Sequence, residues 1–293
     1  MTAVPVDEDQ VRDWEEIVRD GGWRYWFQPA LELMCDALTT LAKAQAALAI
    51  PMGQALRLRV QQVVIRSAGL AGMMFADGGR PEQAYECLYL AARAAARAGD
   101  REFACWAHAV TAHVAFIAND HGRLLQEAET AKRLAPSPMT VGAAYAEAAT
   151  AMAHATDGDG GKASACLERC GEIYAGLDRS QTTLSVFGYP EPLYQYHRGY
   201  VLTRTQQPAL ARESLLMALE TCPPTAFVPR IAVRLELIRC YLDEGRTTEA
   251  CGQVTPLLAE HVGAYSSTAL SRLVNQLFSL FVRQEPDGGI NHG

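Results

Sequence analysis

The feature that most restricts what this chain can fold into is a spacing of small residues that recurs about every forty positions. A Gly or Ala, an alanine twelve positions on and a further small residue seven after that occur at Gly72, Ala84 and Ala91, and again at Gly199, Ala211 and Ala218. The same frame fits Ala112/Leu124/Ala131, Ala151/Ala163/Cys170 and Ile238/Ala250/Leu257 less closely. Twelve of these fifteen positions are Ala, Gly or Cys, types that fill 79 of the 293 residues, so about four would match by chance. Judged from positions 84, 124, 163, 211 and 250, the units start 40, 39, 48 and 39 residues apart. Two helices joined by a tight turn approach closely only where small side chains face each other, with larger residues such as Leu88, Leu215, Phe75 and Tyr241 filling the flanks. A hairpin of this kind buries one face alone and must stack on the next.

The rest of the pattern agrees with helices throughout. Ala, Leu, Glu, Gln and Arg recur at helical spacing from about residue 7 to residue 283, and alternation of β-branched residues never persists. Gly and Pro punctuation falls between helix-length segments, at "DGGRP" (77–81), "NDHG" (119–122), "APSP" (135–138), "DGDGG" (157–161), "QQP" (206–208), "CPP" (222–224) and "DEG" (243–245). The expectation is an all-α chain: capping helices over 1–50, a helical-hairpin array over 51–265, a C-terminal helix over 266–283 and a disordered tail over 284–293. About six hairpins would wind into a right-handed superhelix whose concave groove is lined by the first helix of each pair.

Composition narrows the partners. A net charge of −7, from 26 basic and 33 acidic residues, offers no basic footprint for a phosphate backbone, so direct nucleic-acid binding is not expected. Eight cysteines scattered through apolar helical stretches, behind a start with no charged-then-apolar leader, read as reduced core thiols of a cytoplasmic protein. Apolar runs such as "LTTLAKAQAALAI" stop short of the ~20 residues a membrane span needs and carry Lys43, so no membrane segment is expected.

"GYVLTRTQQPALARESLLMALETCP" and "LIRCYLDEGRTTEACGQVTPLL" resemble tetratricopeptide repeats: Gly199, Ala211, Ala218 and Pro223 in the first, and Leu237, Tyr241, Gly245 and Ala250 in the second, match the family's signature places. The units are longer than the family's usual length and several signature places are lost, which makes the array divergent. "VRDWEEIVRDGGWRYWFQPALELMCDALTTLAKAQ" followed by "LAGMMFADGGRPEQAYECLYLAARAAARAGD" resembles the ligand-sensing C-terminal region of actinobacterial helix-turn-helix regulators. The DNA-binding domain expected before "DWEEIV" is missing, so the resemblance implies the sensor half standing alone.

Motifs that would carry catalysis or metals are incomplete. In "DGDGGKAS" the glycine of a phosphate-binding loop is replaced by Thr156, and the sharp-turn glycine of a calcium loop by Lys162, which leaves an exposed turn. Cys166 and Cys170 lie one helical turn apart without a second Cys or His pair at zinc-finger spacing; His108 and His113 form no H-E-x-x-H arrangement. No metal and no cofactor is expected.

The repeat frame itself supplies the candidate site. If Gly199 in "YQYHRGY" (194–200) is a helix contact, then Tyr196 and Tyr200 fall on the groove side with Arg204 one turn on, and His197 points away toward a neighbouring helix. The same offsets place Met73, Trp106, His113, Phe116, Tyr145 and Arg239 toward the groove and Arg66 near its rim. Aromatics with a few arginines and one histidine suit an apolar or aromatic ligand bearing an anionic group, or the side chains of a short peptide. Core filling between repeats is the competing reading for each aromatic. In "GGWRYWFQP" (21–29), a cap on the first repeat is favoured over an exposed docking patch, and Leu270, Leu273, Leu277 and Leu280 give a helix that seals the last repeat or pairs with a second copy, as a homodimer would. The expected function is a non-enzymatic sensor or adaptor that binds a small molecule or peptide and acts through a regulatory protein partner. The alternative is an enzyme or accessory protein of a specialised-metabolite pathway, with His113, Tyr196, Tyr200, Arg204 and Arg239 as acid/base and anion-holding groups.

Overall fold

The computed structural model describes residues 6–28 and 30–259, together with Asn275, Phe278, Ser279, Phe281 and Val282. The helix expected over 266–283 therefore lies outside the described residues but for those five positions, and the tail 284–293 lies outside them entirely. The described residues form twelve α-helices and no strand: α1 (Glu8–Arg24), α2 (Ala30–Ala47), α3 (Gln54–Asp77), α4 (Pro81–Ala98), α5 (Arg101–Ile117), α6 (His121–Leu134), α7 (Val141–Thr156), α8 (Gly160–Gly176), α9 (Glu191–Arg204), α10 (Pro208–Thr221), α11 (Phe227–Asp243) and α12 (Thr247–Ala259). Each odd-numbered helix from α3 pairs with the helix that follows it, and α5, α7, α9 and α11 pack in succession. This is an all-α, tetratricopeptide-like array of hairpins. No described helix is long and apolar enough to cross a membrane.

All fifteen positions of the small-residue frame are buried. A β-carbon built on Gly72 would come within 2.7 Å of Leu88 and 3.3 Å of the Ala84 carbonyl; one on Gly199 would come within 2.5 Å of Leu215 and 3.3 Å of the Ala211 carbonyl. The two best-matching units thus lock by the same contact, a leucine from the second helix lying on a bare glycine of the first.

Five hairpin turns share one geometry. In each, three residues join the helices and the middle one is left-handed: Gly79 (φ 70°), Asn119 (φ 59°), Gly158 (φ 79°), Gln206 (φ 58°) and Gly245 (φ 72°). The residue after it donates its N–H to a carbonyl five positions back, as Arg80 to Phe75 (2.9 Å), Asp120 to Ala115 (2.8 Å) and Arg246 to Tyr241 (2.8 Å). These bonds satisfy carbonyls that a helix end would otherwise leave bare. Asp120 and Asp159 then cap the following helices by accepting from Arg123 N (3.1 Å) and Lys162 N (3.1 Å). "DGDGG" is therefore an inter-helix turn, with Asp157 paired to His121 at 3.0 Å.

The connections between hairpins differ more. The α8–α9 connection, residues 177–190, is fourteen residues long and accounts for the one 48-residue spacing in the repeat. It does not trail into solvent: Val186 and Tyr189 are buried in the main core, and Val186 N donates to the Gly22 carbonyl of α1 at 2.9 Å.

Candidate functional site

The α8–α9 connection and α1 meet over the middle of α3 and the N-terminal ends of α5 and α7, and between them lies a cavity of about 1130 Å³. Its walls come from Val18 and Trp23 of α1, Val63 and Arg66 of α3, Phe103 and Trp106 of α5, Val141 and Gly142 of α7, and Leu184, Ser185 and Phe187 among others of the connection. Local sequence explains this closeness. Gly22 of α1 leaves room for the Phe187 ring, which a β-carbon there would meet at 3.0 Å, and Gly142 lets α7 approach the α5 backbone, where a β-carbon would lie 2.7 Å from Trp106 N. Arg59 of α3 holds α1 in place through a two-pronged pair with Glu15 (2.9 and 2.8 Å).

Within the cavity, Phe103, Trp106 and Phe187 form an aromatic triad with ring centroids 4.7 to 5.7 Å apart. The exposed Arg66 guanidinium stands 5.4 Å from the Phe103 centroid and 5.5 Å from that of Phe187. The Trp106 side chain is buried and its indole N–H has no hydrogen-bond partner among the described residues. Of the expected groove residues, only Arg66 and Trp106 line this cavity.

Most of the others assemble elsewhere, as a packed layer running from α5 through α7 to α9 and α11. His113 lies 5.3 Å from His197 and 6.1 Å from Tyr145; Phe116 meets Tyr200 edge-on at 5.0 Å; Tyr196 lies 6.5 Å from Tyr200. His197 points toward neighbouring helices, yet it stays close to these residues. It faces the neighbouring helices α5 and α7, as a residue at that position must, but those helices present His113 and Tyr145 to it, so the crowding in sequence persists in space. Tyr189 of the long connection bonds His197 Nδ1 at 2.7 Å, and His197 Nε2 has no partner. Met73 is buried in the main core. At the far end Arg204 lies 3.3 Å over the Tyr200 ring and forms a two-pronged pair with Glu236 of α11 (2.6 and 3.2 Å). Arg239 is half-buried on α11, its charge felt by Tyr200 and Asp243.

Burial keeps the histidines, tyrosines and thiol of this layer uncharged near neutral pH. It pushes the His113 pKa down to about 4 and that of His197 well below its ordinary value, with the His113 charge acting against His197 as well. It raises the hydroxyls of Tyr145, Tyr189 and Tyr196, and pushes the Cys170 thiol up to about 12. Cys170 lies 3.5 Å from the Tyr189 hydroxyl, so Cys170, Tyr189 and His197 form a line of neutral hydrogen-bonding groups. The exception is Asp77, at the C-terminus of α3, whose carboxyl is pushed by burial up to about 7 and bonds the Tyr25 hydroxyl. No group of three or more His, Cys, Asp or Glu among the described residues could hold a metal.

The aromatic segment after α1 makes a further contact that the repeat frame does not imply. Trp26 is buried against Cys222 and Ala226 of the α10–α11 connection, with Tyr25, Phe27, Leu184 and Leu193 packed around it. This contact with a distant hairpin comes in addition to the packing of α1 and Tyr25 on the main core. Sequence reasoning also missed Phe103, Phe187 and the 177–190 connection. The signal was the single 48-residue spacing, which marks an insertion between otherwise even units.

No family model matches the chain, and no curated protein matches it. Among solved structures, the nearly identical TPR-like repeats of a Podosopora anserina protein described as a kinesin light chain align with a TM-score of 0.41 at 16% identity, covering 75% of this chain and 96% of that one.

Proposed function

We propose that this protein is a helical-repeat sensor or adaptor that takes a ligand into the cavity between α1, α5 and the α8–α9 connection and conveys its occupancy to a protein partner. The observation that carries the reading is the cavity itself: about 1130 Å³, lined by an aromatic triad and an arginine, and closed partly by the long α8–α9 connection. Ligand sites are concave, mostly apolar and supplied with a few oriented polar groups, and this one fits that description. The sequence resemblance to the sensor regions of actinobacterial regulators supports a role in regulation, with the partner supplying any contact to DNA. A binding role also accords with the state of the residues an active site would recruit. His113, Tyr196 and Tyr200 are neutral and packed, and Arg204 is already paired.

Native mass spectrometry of freshly purified protein, followed by thermal shift against a metabolite library, tests the reading. A co-purifying small molecule, or a metabolite that raises the melting temperature in proportion to its concentration over Kd, is the expected result. Phe187→Ala should abolish it. The absence of both a bound mass and any thermal shift would sink the proposal.

A further inference from the structure

We infer that the cavity takes a small monocarboxylate with a flat apolar body, and that Arg66 is the group that holds its carboxylate. The inference rests on the ligand-binding reading above and adds the chemistry of the ligand. Three acidic or basic side chains besides Arg66 and Glu102 border the cavity, and each is engaged. Glu15 is paired with Arg59, Arg19 with Glu16 at 3.2 Å, and Asp100 accepts from Phe103 N (2.9 Å) and from the Gln62 amide (3.1 Å). Among the described residues no carboxylate pairs with Arg66, and its guanidinium lies over two ring faces. A guanidinium stacked on aromatic rings keeps its in-plane N–H donors free, and those donors match a carboxylate two to two. The buried Trp106 N–H on the same wall is a second donor without an acceptor among the described residues.

One free guanidinium favours a carboxylate over a phosphate. A phosphate site draws on several cations or on open helix N-termini, and the N-termini of α5 and α7 are capped by Asp100 and by Thr140, which accepts from Ala143 N at 3.2 Å. The body must be flat and apolar to lie along Trp23, Trp106 and Phe187. It must also be a small molecule. An extended peptide lying along the inner face would have to pass where Val186 bonds Gly22 and where Trp26 packs on Cys222 and Ala226.

The test is a calorimetric titration of the full chain with matched acid and amide probes, naphthylacetate against naphthylacetamide and fluorenylacetate against fluorenylacetamide. Wild type should bind the acid of at least one pair about tenfold or more tighter than its amide, the ratio that one charge-assisted contact gives. Arg66→Gln should erase that difference by weakening the acid alone, Arg66→Lys should restore part of it, and Phe187→Ala should weaken acid and amide together. Arg66 is exposed, so an unchanged melting temperature in Arg66→Gln separates lost recognition from lost folding. Acid and amide binding equally, both sensitive to Phe187→Ala, would overturn the carboxylate anchor and leave the ligand-binding reading standing. Acid binding insensitive to both positions would place the site elsewhere and overturn the inference. If no probe binds, the inference falls; a co-purifying mass lost in Phe187→Ala would show that the broader reading survives it.

Discussion

Two arginines of the first-helix face lie over aromatic rings, Arg66 over Phe103 and Phe187 and Arg204 over Tyr200, yet they have different fates. Arg204 is mostly buried, its side chain 14% exposed, and Glu236 meets it with both oxygens from the next hairpin. Burial pulls its pKa down, the Glu236 charge and hydrogen bond pull it up, and the guanidinium ends above its ordinary value. Arg66 is exposed, beside a cavity, and has no carboxylate at hand among the described residues. The comparison teaches that stacking on a ring says little about role. A counter-ion built into the adjacent repeat marks an arginine that joins hairpins, and its absence at a cavity marks one that is available.

The strongest way to break this contrast is to orphan Arg204. Removing one partner of a buried ion pair leaves an uncompensated charge, so Glu236→Ala should cost about 3 kcal/mol of unfolding free energy. Urea denaturation followed by circular dichroism would measure it. Replacing both residues, Arg204→Leu with Glu236→Leu, should recover most of the loss, since no charge is then stranded. A loss below about 1 kcal/mol in the single variant would place the pair with ordinary surface pairs and dissolve the distinction.

Asp77 is the acidic counterpart of an uncompensated charge, and it sharpens the contrast through pH. Among the described residues no cation acts on it, so burial raises its pKa from 3.8 to about 7. A raised carboxyl favours the folded state while protonated: its contribution is full below about pH 4 and is lost as pH rises through about 7. His113 and His197 work in the opposite sense. Their folded pKa values are depressed, so stability falls as pH drops below 6.5, for His113 down to about 4. Two histidines outweigh one aspartate on the acid side. Asp77→Asn, which cannot ionise, should exceed wild type by about 1 kcal/mol or more above pH 7, and the advantage should shrink toward pH 4. Unfolding curves across that range give the answer; a constant difference at every pH would show that folding does not raise the Asp77 pKa.

The architecture was largely legible because it depends on local rules. Bare glycines under leucines, left-handed turn residues and aspartate caps are written within a few residues of where they act, which is why Gly72, Gly199, Gly158 and Asp159 reveal their roles in isolation. The site was legible only in part because it is assembled by contacts between distant segments. The repeat offsets brought His113, Phe116, Tyr145, Tyr196, Tyr200 and Arg204 together, since those residues occupy equivalent faces of neighbouring helices. No offset could announce that Phe187 crosses to Phe103 and Trp106, that Trp26 docks on Cys222, or that Glu236 neutralises Arg204. Those pairings depend on the path of one long connection and on the winding of the array.

The smallest expected effect falls on Arg66. An exposed arginine in contact with two rings loses less than about 1 kcal/mol of cation–π attraction when replaced, and it leaves no buried carboxylate behind. Arg66→Gln should therefore melt within a few degrees of wild type, as surface substitutions do, whereas Arg204→Gln should fall well below it by stranding Glu236. Differential scanning calorimetry of the two variants side by side checks this. Equal losses would mean that Arg66 holds the cavity walls together as Arg204 holds the hairpins, and an arginine already committed to the fold would be a poor anchor for any ligand.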